Sequence, residues 1–287
     1  MVTHKYTKQV VLISGVSSGI GNAIARLFAD RGYRVFGSSR DPGRCSPISG
    51  VEMLTLDVRD PDSVRRCVGD VLSQAGNIDV LINNAGYALM GGTEESSDEE
   101  IAAQFDTNFH GVVRLTRAVL PDMRKRRRGH IINISSLVGR ISMPFMGIYS
   151  ASKHAVEAYS EALYHELLPF GVPVSLIEPG FIRTAFGDHS VTAKTHIPDY
   201  APWYRQASES VQQHLAKAPS PDLVAKAVLR AVESDRPRLR YLVGSDANLV
   251  VRLRKWLPET MFGLVLRCEF GLNRVTTPPP GTSIYRE

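Results

Sequence analysis

VVLISGVSSGIG, residues 10–21, decides the fold of this chain of 287 residues. Its first part, Val10 to Ser14, is a short aliphatic run typical of a buried strand, and Asn22 to Arg31 continues with the pattern of a helix. A strand that turns sharply into a helix directs backbone N–H groups and the positive end of the helix dipole at an anion, and glycines let a phosphate approach the main chain. The spacing G-x-x-x-G-x-G is wider than the common dinucleotide-binding motif, so this stretch alone leaves open a plain glycine turn.

Short β-branched runs alternate with helical patterns along most of the chain. This alternation predicts right-handed βαβ crossovers and a mostly parallel sheet that is covered by helices on both faces. The predicted fold class is therefore α/β, a doubly wound Rossmann fold in three layers, α/β/α. The predicted strands after the first are Arg34 to Ser38, Met53 to Val58, Asp79 to Asn83, Ile131 to Ser135, Val174 to Ile177 and Leu239 to Val243.

The length of the chain fits one large domain, 1–287, with two additions near its carboxyl end. After Pro179-Gly180 the periodicity becomes irregular, and we interpret residues 181–219 as an inserted lid that ends before Pro221 opens another helix. Past the last predicted strand, residues 245–287 form a carboxyl-terminal extension that is rich in apolar and basic side chains.

The composition, 43% hydrophobic and 22% charged, is ordinary for a globular protein with a sizeable core and excludes a disordered or collagen-like chain. The net charge is +5, but the basic run Arg124 to Arg128 falls where a long helix should end, and cations there complement the helix dipole. We therefore favour a solvated helix end over a nucleic-acid patch and expect no nucleic acid as a partner. The run that begins at Val10 is too short for a signal or membrane-spanning segment.

The three cysteines, Cys45, Cys67 and Cys268, are far apart and show neither C-x-x-C nor Cys/His ligand spacing. We therefore expect no disulfide framework and no metal site. A reducing, cytoplasmic setting fits this cysteine usage best.

The second predicted strand ends in G-S-S-R, residues 37–40, and this ending bears on which dinucleotide is bound. An NAD-selective site places a carboxylate here for the adenosine ribose diol, whereas Arg40 offers a guanidinium that can pair with a 2′-phosphate. The sequence thus predicts NADP(H) as the cofactor, with a solvated loop residue as the alternative interpretation of Arg40. Asp57, at the end of the third predicted strand, is placed to accept from the adenine amino group, and the turn N-N-A-G, residues 83–86, is placed to line the cofactor crevice.

Tyr149 and Lys153 are the candidate reacting groups, because side chains four residues apart share one face of a helix. A free phenol titrates near 10, so a nearby ammonium should lower its pKa and favour the phenolate. Ser136 follows a predicted strand at the carboxyl edge of the sheet, where its hydroxyl can hold a substrate oxygen. Asn108 can bend its helix by engaging the helix backbone and can anchor a water that relays protons to Lys153.

Together, these residues resemble the short-chain dehydrogenase/reductase family in kind, order and approximate spacing over roughly Gln9 to Thr184. The resemblance implies that Tyr149 is the general acid/base, that Ser136 orients the carbonyl and that Lys153 binds the nicotinamide ribose, with Asn108 supporting a water relay. The family's first motif residue is commonly threonine, and Ser14 keeps its hydroxyl here. The predicted catalytic residues are Asn108, Ser136, Tyr149 and Lys153. The predicted cofactor-binding residues are Gly15, Ser17, Ser18, Gly19, Ile20, Gly21, Arg40, Asp57, Val58, Asn84, Ala85, Gly86, Tyr149, Lys153, Pro179, Gly180, Ile182 and Thr184.

Aromatic and apolar side chains in the lid and near Ser136 predict a small hydrophobic ketone or alcohol as substrate, similar to family members that act on steroids or retinoids. Packing of the lid itself is the alternative interpretation of each aromatic residue. The side chains concerned are Phe181, Phe186, Tyr200, Trp203, Tyr204, Met143, Phe145 and Met146.

The basic and apolar tail predicts either packing on the body of the protein or contact with an anionic membrane surface. The resemblance further implies a homodimer or homotetramer joined through the helices that carry Asn108 and Tyr149. Two other functions are less favoured. A non-catalytic dinucleotide sensor would have no use for Tyr149 and Lys153 at catalytic spacing, and relatives that act as epimerases or dehydratases on nucleotide sugars usually carry a larger carboxyl-terminal domain than this tail.

Overall fold

The computed structural model describes residues 8–183 and 190–272. The strands are β1 (Val10–Ser14), β2 (Arg34–Ser39), β3 (Val51–Thr55), β4 (Val80–Asn83), β5 (Leu89–Met90), β6 (His130–Ile134), β7 (Val174–Pro179), β8 (Val191–Thr192) and β9 (Arg240–Val243). The helices are α1 (Gly19–Asp30), α2 (Pro61–Ala75), α3 (Asp98–Phe105), α4 (Gly111–Arg126), α5 (Gly147–Leu167), α6 (Ala201–Lys217), α7 (Asp222–Val232), α8 (Ser245–Trp256) and α9 (Glu259–Glu269). A single π-helical turn, Asp106–His110, joins α3 to α4.

Seven strands form one parallel sheet in the order β3-β2-β1-β4-β6-β7-β9. The chain runs outward from β1 to β3 and then crosses back to β4 on the other side of β1. This reversal opens a crevice at the carboxyl ends of β1 and β4, where ligands of doubly wound sheets bind. The predicted three-layer Rossmann fold is confirmed, and β5 and β8 pair separately beside it.

Alternating side chains of the central strands fill two cores, one on each face of the sheet. On β1, Val11 and Ile13 pack in the core that α1 and α7 cover, whereas Leu12 packs in the core that α2, α4 and α5 cover. The buried Phe28 of α1 and Leu115 of α4 are examples of the covering side chains. Burial on both faces explains why these strands read as continuous apolar runs in the sequence.

Two of the predicted elements differ from the structure. The third strand was expected at Met53 to Val58, but β3 lies at Val51–Thr55, because its pairing with β2 begins at Val35 opposite Val51. The lid was expected to be irregular, yet α6 is a helix of 17 residues. Its fully buried residues, Ala207 and Ser210, are small, so the hydrophobic pattern that would reveal this helix is weak.

The basic run at Arg124 to Arg128 ends a helix, as expected. Helix α4 stops at Arg126, and Arg127 adopts a left-handed conformation with φ of 50°. The Arg126 guanidinium donates to Asp122 at 2.8 Å and to the carbonyl of Ile78 at 2.6 Å, so it serves to fasten the helix end to the sheet. Within the described residues, no helix is both long and apolar enough to cross a bilayer.

Candidate active site

The glycine turn after β1 is held in place by the turn that follows β4. Gly15 and Gly19 have φ of +74° and +58°, a region that favours glycine. The Ser14 hydroxyl accepts the backbone N–H of Asn84 at 3.0 Å and of Ala85 at 3.1 Å. The Asn84 side chain donates back to the carbonyls of Ser14 at 3.0 Å and Gly15 at 2.7 Å. These bonds lock the two turns together across the switch point of the sheet.

A cleft of about 520 Å³ runs along this carboxyl edge and brings together most of the predicted cofactor residues. A smaller apolar pocket adjoins the cleft, and it is lined by the predicted residues Pro179, Gly180 and Ile182, with Ile20 shared between the two. Gly21 packs behind the glycine turn, against Gly15 and Asn84. Thr184 lies outside the described residues. The predicted residues that line the cleft are Gly15, Ser17, Ser18, Gly19, Ile20, Arg40, Asp57, Val58, Asn84, Ala85, Gly86, Tyr149 and Lys153.

Ser39, Arg59, Tyr87 and Thr107 also line the cleft, and sequence reasoning did not single them out. Arg59 lies two residues after Asp57 and binds its carboxylate, with Nη2 2.7 Å from Oδ2 and Nε 3.0 Å from Oδ1. This contact lowers the pKa of Asp57, and burial acts in the opposite direction. The position of Arg59, two residues after Asp57, was the available signal in the sequence.

Asp57 differs from its expectation in two respects. It follows β3 after a gap instead of ending the strand, and both of its carboxylate oxygens already accept bonds from Arg59. An adenine amino group would therefore share this carboxylate with a guanidinium. Arg59 lies only two residues after Asp57, and its guanidinium therefore reaches back to the Asp57 carboxylate.

Tyr149, Ser136 and Lys153 converge at the inner end of the cleft. Tyr149 and Lys153 lie on the first turns of α5 and are 6% exposed each, and a hydrogen bond joins the Ser136 hydroxyl to the phenol of Tyr149. The ammonium nitrogen of Lys153 donates to the carbonyl of Ile134 at 2.9 Å and lies 5.9 Å from the centre of the Tyr149 ring. The predicted clustering of these three side chains is thus present in the structure.

The pKa of Tyr149 moves in the direction opposite to the sequence-based expectation. Burial raises the pKa of this phenol to about 12, and the hydrogen bond with Ser136 offsets only part of the rise. Burial also lowers the pKa of Lys153 to about 8, while the carboxylate of Glu157 opposes that shift. Desolvation thus dominates both groups, because each lies deep in the protein where the charged form is costly. At neutral pH the phenol keeps its proton and Lys153 is mostly charged.

Asn108 lies in the π-helical turn and is 1% exposed. Its side chain was expected to engage the backbone of its own helix, but it instead bonds the backbone of Tyr87, accepting from N at 3.1 Å and donating to O at 2.9 Å. It also donates to the Ser152 hydroxyl at 3.1 Å. A Cβ atom on Gly86 would lie 3.0 Å from Asn108 Oδ1 and 3.8 Å from Lys153 Nζ, so both side chains approach the backbone of Gly86 closely.

The Pro179-Gly180 turn is fastened by Asp246, which sequence reasoning missed. The Asp246 carboxylate accepts the backbone N–H of Phe181 at 2.7 Å, and Gly180 N donates to the carbonyl of Val243 at 2.9 Å. A Cβ atom on Gly180 would collide with this carboxylate, so glycine is required for the contact. The sequence offered one signal for this contact, an acidic residue shortly after Gly244 in the first turn of a helix.

An apolar pocket of about 100 Å³ adjoins Ser136 and Tyr149. Met143, Met146 and Phe181 line it, as the sequence suggested, and α6 contributes Val211 and Leu215. The other aromatic residues named from the sequence lie apart, in a second hollow of about 470 Å³ whose lining includes Phe145, Tyr200 and Trp203. Tyr204 packs edge-on against Phe145 with ring centres 5.6 Å apart, and Phe186 lies outside the described residues.

Comparison with known proteins places this arrangement of turns and side chains in a family. A family model described as short chain dehydrogenase matches residues 9–195. The chain belongs to the short-chain dehydrogenase family. Members of this family are oxidoreductases that bind a nicotinamide dinucleotide, and this short-chain dehydrogenase is therefore an oxidoreductase.

Similar members of the short-chain dehydrogenase family span nearly the same length. The 3-ketodihydrosphingosine reductase of Bacteroides thetaiotaomicron is 40% identical over 267 residues, which cover 92% of this chain and 98% of that protein. The 17-beta-hydroxysteroid dehydrogenase type 1 of Homo sapiens is 36% identical, with 86% and 81% covered. A solved short-chain dehydrogenase from Streptomyces avermitilis has a TM-score of 0.79 at 31% identity, with 94% of this chain and 100% of that chain covered.

A nicotinamide dinucleotide fits the residues of the cleft. A Cβ atom on Gly21 would collide with the carbonyl oxygen of Gly15 and the amide of Asn84, so glycine here lets α1 begin close behind the turn and present its N-terminus to a pyrophosphate. The buried hydroxyl of Ser135 lines both the cleft and the apolar pocket and has no hydrogen-bond partner among the described residues. A polar ligand reaching this end of the cleft would supply one.

Proposed function

We propose that this short-chain dehydrogenase is an NADP(H)-dependent enzyme that interconverts a ketone and a secondary alcohol on a small hydrophobic substrate. One observation carries the proposal: Ser136, Tyr149 and Lys153 converge where an apolar pocket meets the dinucleotide cleft. A carbonyl oxygen held by the Ser136 hydroxyl would therefore lie next to the phenol of Tyr149. The substrates in the names of the two relatives, a keto compound and a hydroxysteroid, agree with this class.

The raised pKa of Tyr149 supports a role as proton donor in the direction of reduction. A phenol with a pKa of about 12 keeps its proton at neutral pH and can deliver it to a carbonyl oxygen as negative charge develops there. Lys153 then stabilises the phenolate that is left behind, and Ser136 keeps the oxygen in line with the phenol. Asn108, fixed by Tyr87 and Ser152, would hold a water beside Lys153 that resupplies the proton. When bound, the dinucleotide supplies the hydride.

The preference for NADP(H) is supported by the end of β2. Ser39 and the exposed Arg40 line the cleft where the second strand ends, and no carboxylate stands at residues 37–40. Arg59 adds a second guanidinium to the same cleft. The guanidinium groups of Arg40 and Arg59 would attract a phosphate on the adenosine ribose, whereas a ribose diol would lack the carboxylate that usually accepts its hydrogen bonds.

We further propose that the chain acts as one catalytic domain, 1–287, in the cytoplasm, as a homodimer or homotetramer. The faces of α4 and α5 are the proposed subunit contacts, with Asn108 and Tyr149 anchored at the ends of these helices nearest the site. Residues 181–219 are proposed to cover the substrate, and the helix α6 in this segment already contributes Val211 and Leu215 to the pocket wall.

The variant Tyr149→Phe tests the proposed function. It removes the proton donor and keeps the ring, so turnover of hydrophobic ketones with NADPH should fall by at least about a thousandfold. Binding of NADPH, followed by nicotinamide fluorescence, should stay within about threefold of the unsubstituted protein, because a loss of one phenol oxygen removes about one hydrogen bond at most. Turnover retained in this variant, or the absence of any ketone or alcohol activity in the unsubstituted protein with both cofactors, would overturn the proposal.

A further inference from the structure

The last two helices of the described chain carry apolar side chains on their outer surface. In α9, Met261, Leu264 and Val265 recur at positions i, i+3 and i+4, and they are 51%, 57% and 39% exposed. Trp256, at the end of α8 and just before α9, is 78% exposed. We call these four side chains the tail face. A helix of a globular protein normally turns such a stripe toward the core, so its exposure requires an explanation.

The core-facing side of α9 is apolar as well. Phe262 is 5% exposed and packs with Phe270 in the same core cluster as Tyr149, Met143 and Met146. Helix α9 thus fulfils its packing role with a different set of residues from the tail face. The outward stripe is therefore additional to what the fold of this helix needs.

Positive charge surrounds the tail face. Arg252, Lys255 and Arg267 are exposed, and Arg254 lies over the ring of Phe262 at 5.4 Å. The same helices carry three acidic side chains, against four cations. Asp246 binds the backbone of Phe181 and Glu269 pairs with His214 at 2.8 Å, so both face residues outside these helices. Glu259 pairs with Arg254 at 3.5 Å. The described part of α8 and α9 therefore offers a surplus of cations around apolar side chains.

We propose that the tail face docks this protein on an anionic membrane surface. An exposed tryptophan beside lysine and arginine is suited to the boundary between headgroups and acyl chains, where its ring has both apolar and polar neighbours. Cations around the face are attracted by acidic lipid headgroups. A second copy of the chain would bring the same positive charges to a symmetric contact, which opposes self-association through this face.

The position of the face connects docking to the substrate pocket. Because the inner sides of α8 and α9 belong to the cluster around Tyr149, a docked protein would hold its pocket close to the bilayer. If the substrate is hydrophobic, as the proposed function states, it would then reach the pocket from the membrane and not from water. This step rests on the proposed function, whereas docking itself does not.

Sedimentation with lipid vesicles tests the proposal on the full chain. The protein should sediment with phosphatidylcholine vesicles that contain phosphatidylserine, and much less with phosphatidylcholine alone or at high salt. Leu264→Glu places a like charge in the lipid contact and should weaken binding to anionic vesicles at least about tenfold. Leu168→Glu is the matched control, because Leu168 is 58% exposed and lies outside α8 and α9, and it should bind as the unsubstituted protein does.

Three results would overturn docking on membranes: no sedimentation of the unsubstituted protein at low salt, equal binding by Leu264→Glu, or equal loss in Leu168→Glu. A fourth result would also overturn it and would show that the tail face binds a second copy of the chain. In that case Leu264→Glu would form a smaller particle than the unsubstituted protein in light scattering without lipid. Far-UV circular dichroism and turnover of a water-soluble ketone should be unchanged in Leu264→Glu, which excludes misfolding. Because Tyr149→Phe should still bind vesicles, a failure of the proposed catalysis remains distinguishable from a failure of docking.

Discussion

Lys153 and Tyr149 show how one cause, burial, prepares two neighbouring groups for opposite tasks. Desolvation disfavours the charged form of each, so the phenol holds its proton more tightly while the ammonium holds its proton less tightly. The pair therefore brings a proton donor and a cation together at neutral pH, with the cation close to its titration point. Glu157, one turn further along α5, keeps Lys153 from losing its proton at still lower pH.

The pH dependence of ketone reduction should report the titration of Lys153. With a pKa of about 8, Lys153 is charged below that pH and loses its charge as the pH rises through it. The cation stabilises the phenolate that forms on Tyr149, so kcat/KM for reduction should be level at low pH and fall about tenfold for each pH unit above the pKa. Initial rates with saturating NADPH measure it. A profile that stays level from about pH 7 to about pH 10 would contradict this role.

Arg40 should decide the choice between the two cofactors. Arg40→Ala removes a guanidinium that can pair with a 2′-phosphate, which should lower kcat/KM for NADPH by about tenfold to a hundredfold. The value for NADH should change little, because that cofactor lacks the phosphate. Arg44→Ala is a matched control, since Arg44 is 89% exposed, carries the same charge and pairs with Asp41. An unchanged ratio of the two efficiencies in Arg40→Ala would refute the assignment.

At the scale of elements, local pattern predicted the sheet well. Apart from β3, the strands of the seven-stranded sheet lie within two residues of their predicted bounds, because parallel strands buried on both faces leave unmistakable apolar runs, whereas the short pair β5 and β8 was not predicted. Helix α6 was not foreseen, because its buried side chains, Ala207 and Ser210, are small and mark the helical period only weakly. The carboxyl ends of β1, β4 and β6 also located most of the site, since topology alone brings those ends together.

Contacts that depend on side-chain direction were beyond sequence reasoning. The bond of Arg59 to Asp57 and the bond of Asp246 to Phe181 join residues whose meeting depends on the exact path of a turn. The pKa of Tyr149 was predicted in the wrong direction for a related reason. Spacing reveals a neighbouring charge, whereas the depth of burial that outweighs it emerges only from the packed structure.

The docking of α8 against the Pro179-Gly180 turn should matter for cofactor binding. Asp246→Ala removes the acceptor of the Phe181 N–H and loosens the turn, which should raise the KM for NADPH by roughly tenfold, the equivalent of one lost charge-assisted bond. Asn248→Ala is the control, because Asn248 bonds the carbonyl of Gly244 in the same first turn of α8 and does not contact Phe181 in the structure. Equal KM values for NADPH in the two variants would show that the contact with Asp246 does not position the turn.

At the scale of the whole molecule, an ionic cluster joins the edge strand β9, the neighbouring strand β7 and helix α5. Arg240 of β9 bonds Glu157 at 3.0 Å and Glu161 at 2.6 Å, both on α5, and lies 3.3 Å from Glu178 of β7. Arg140 bonds Glu178 at 3.1 Å. Burial, followed by the charge of Glu157, raises the pKa of Glu178 to about 7. The cluster stands behind Lys153, so the same carboxylate that supports the Lys153 charge is itself held by Arg240.

Arg240→Ala should destabilise the protein more than the loss of any surface pair. It leaves the buried carboxylate of Glu157 without its ion-pair partner and Glu178 with Arg140 alone, and removal of one partner from a buried ionic cluster typically costs about 3 kcal/mol or more. Arg31→Ala breaks a pair with Glu233 that spans 3.7 Å between side chains 55% and 47% exposed, and such pairs contribute below about 1 kcal/mol. Urea denaturation followed by circular dichroism measures both free energies of unfolding. If the two variants lose the same stability, the cluster behind Lys153 contributes no more than a surface ion pair, because solvent then screens it as fully as it screens Arg31.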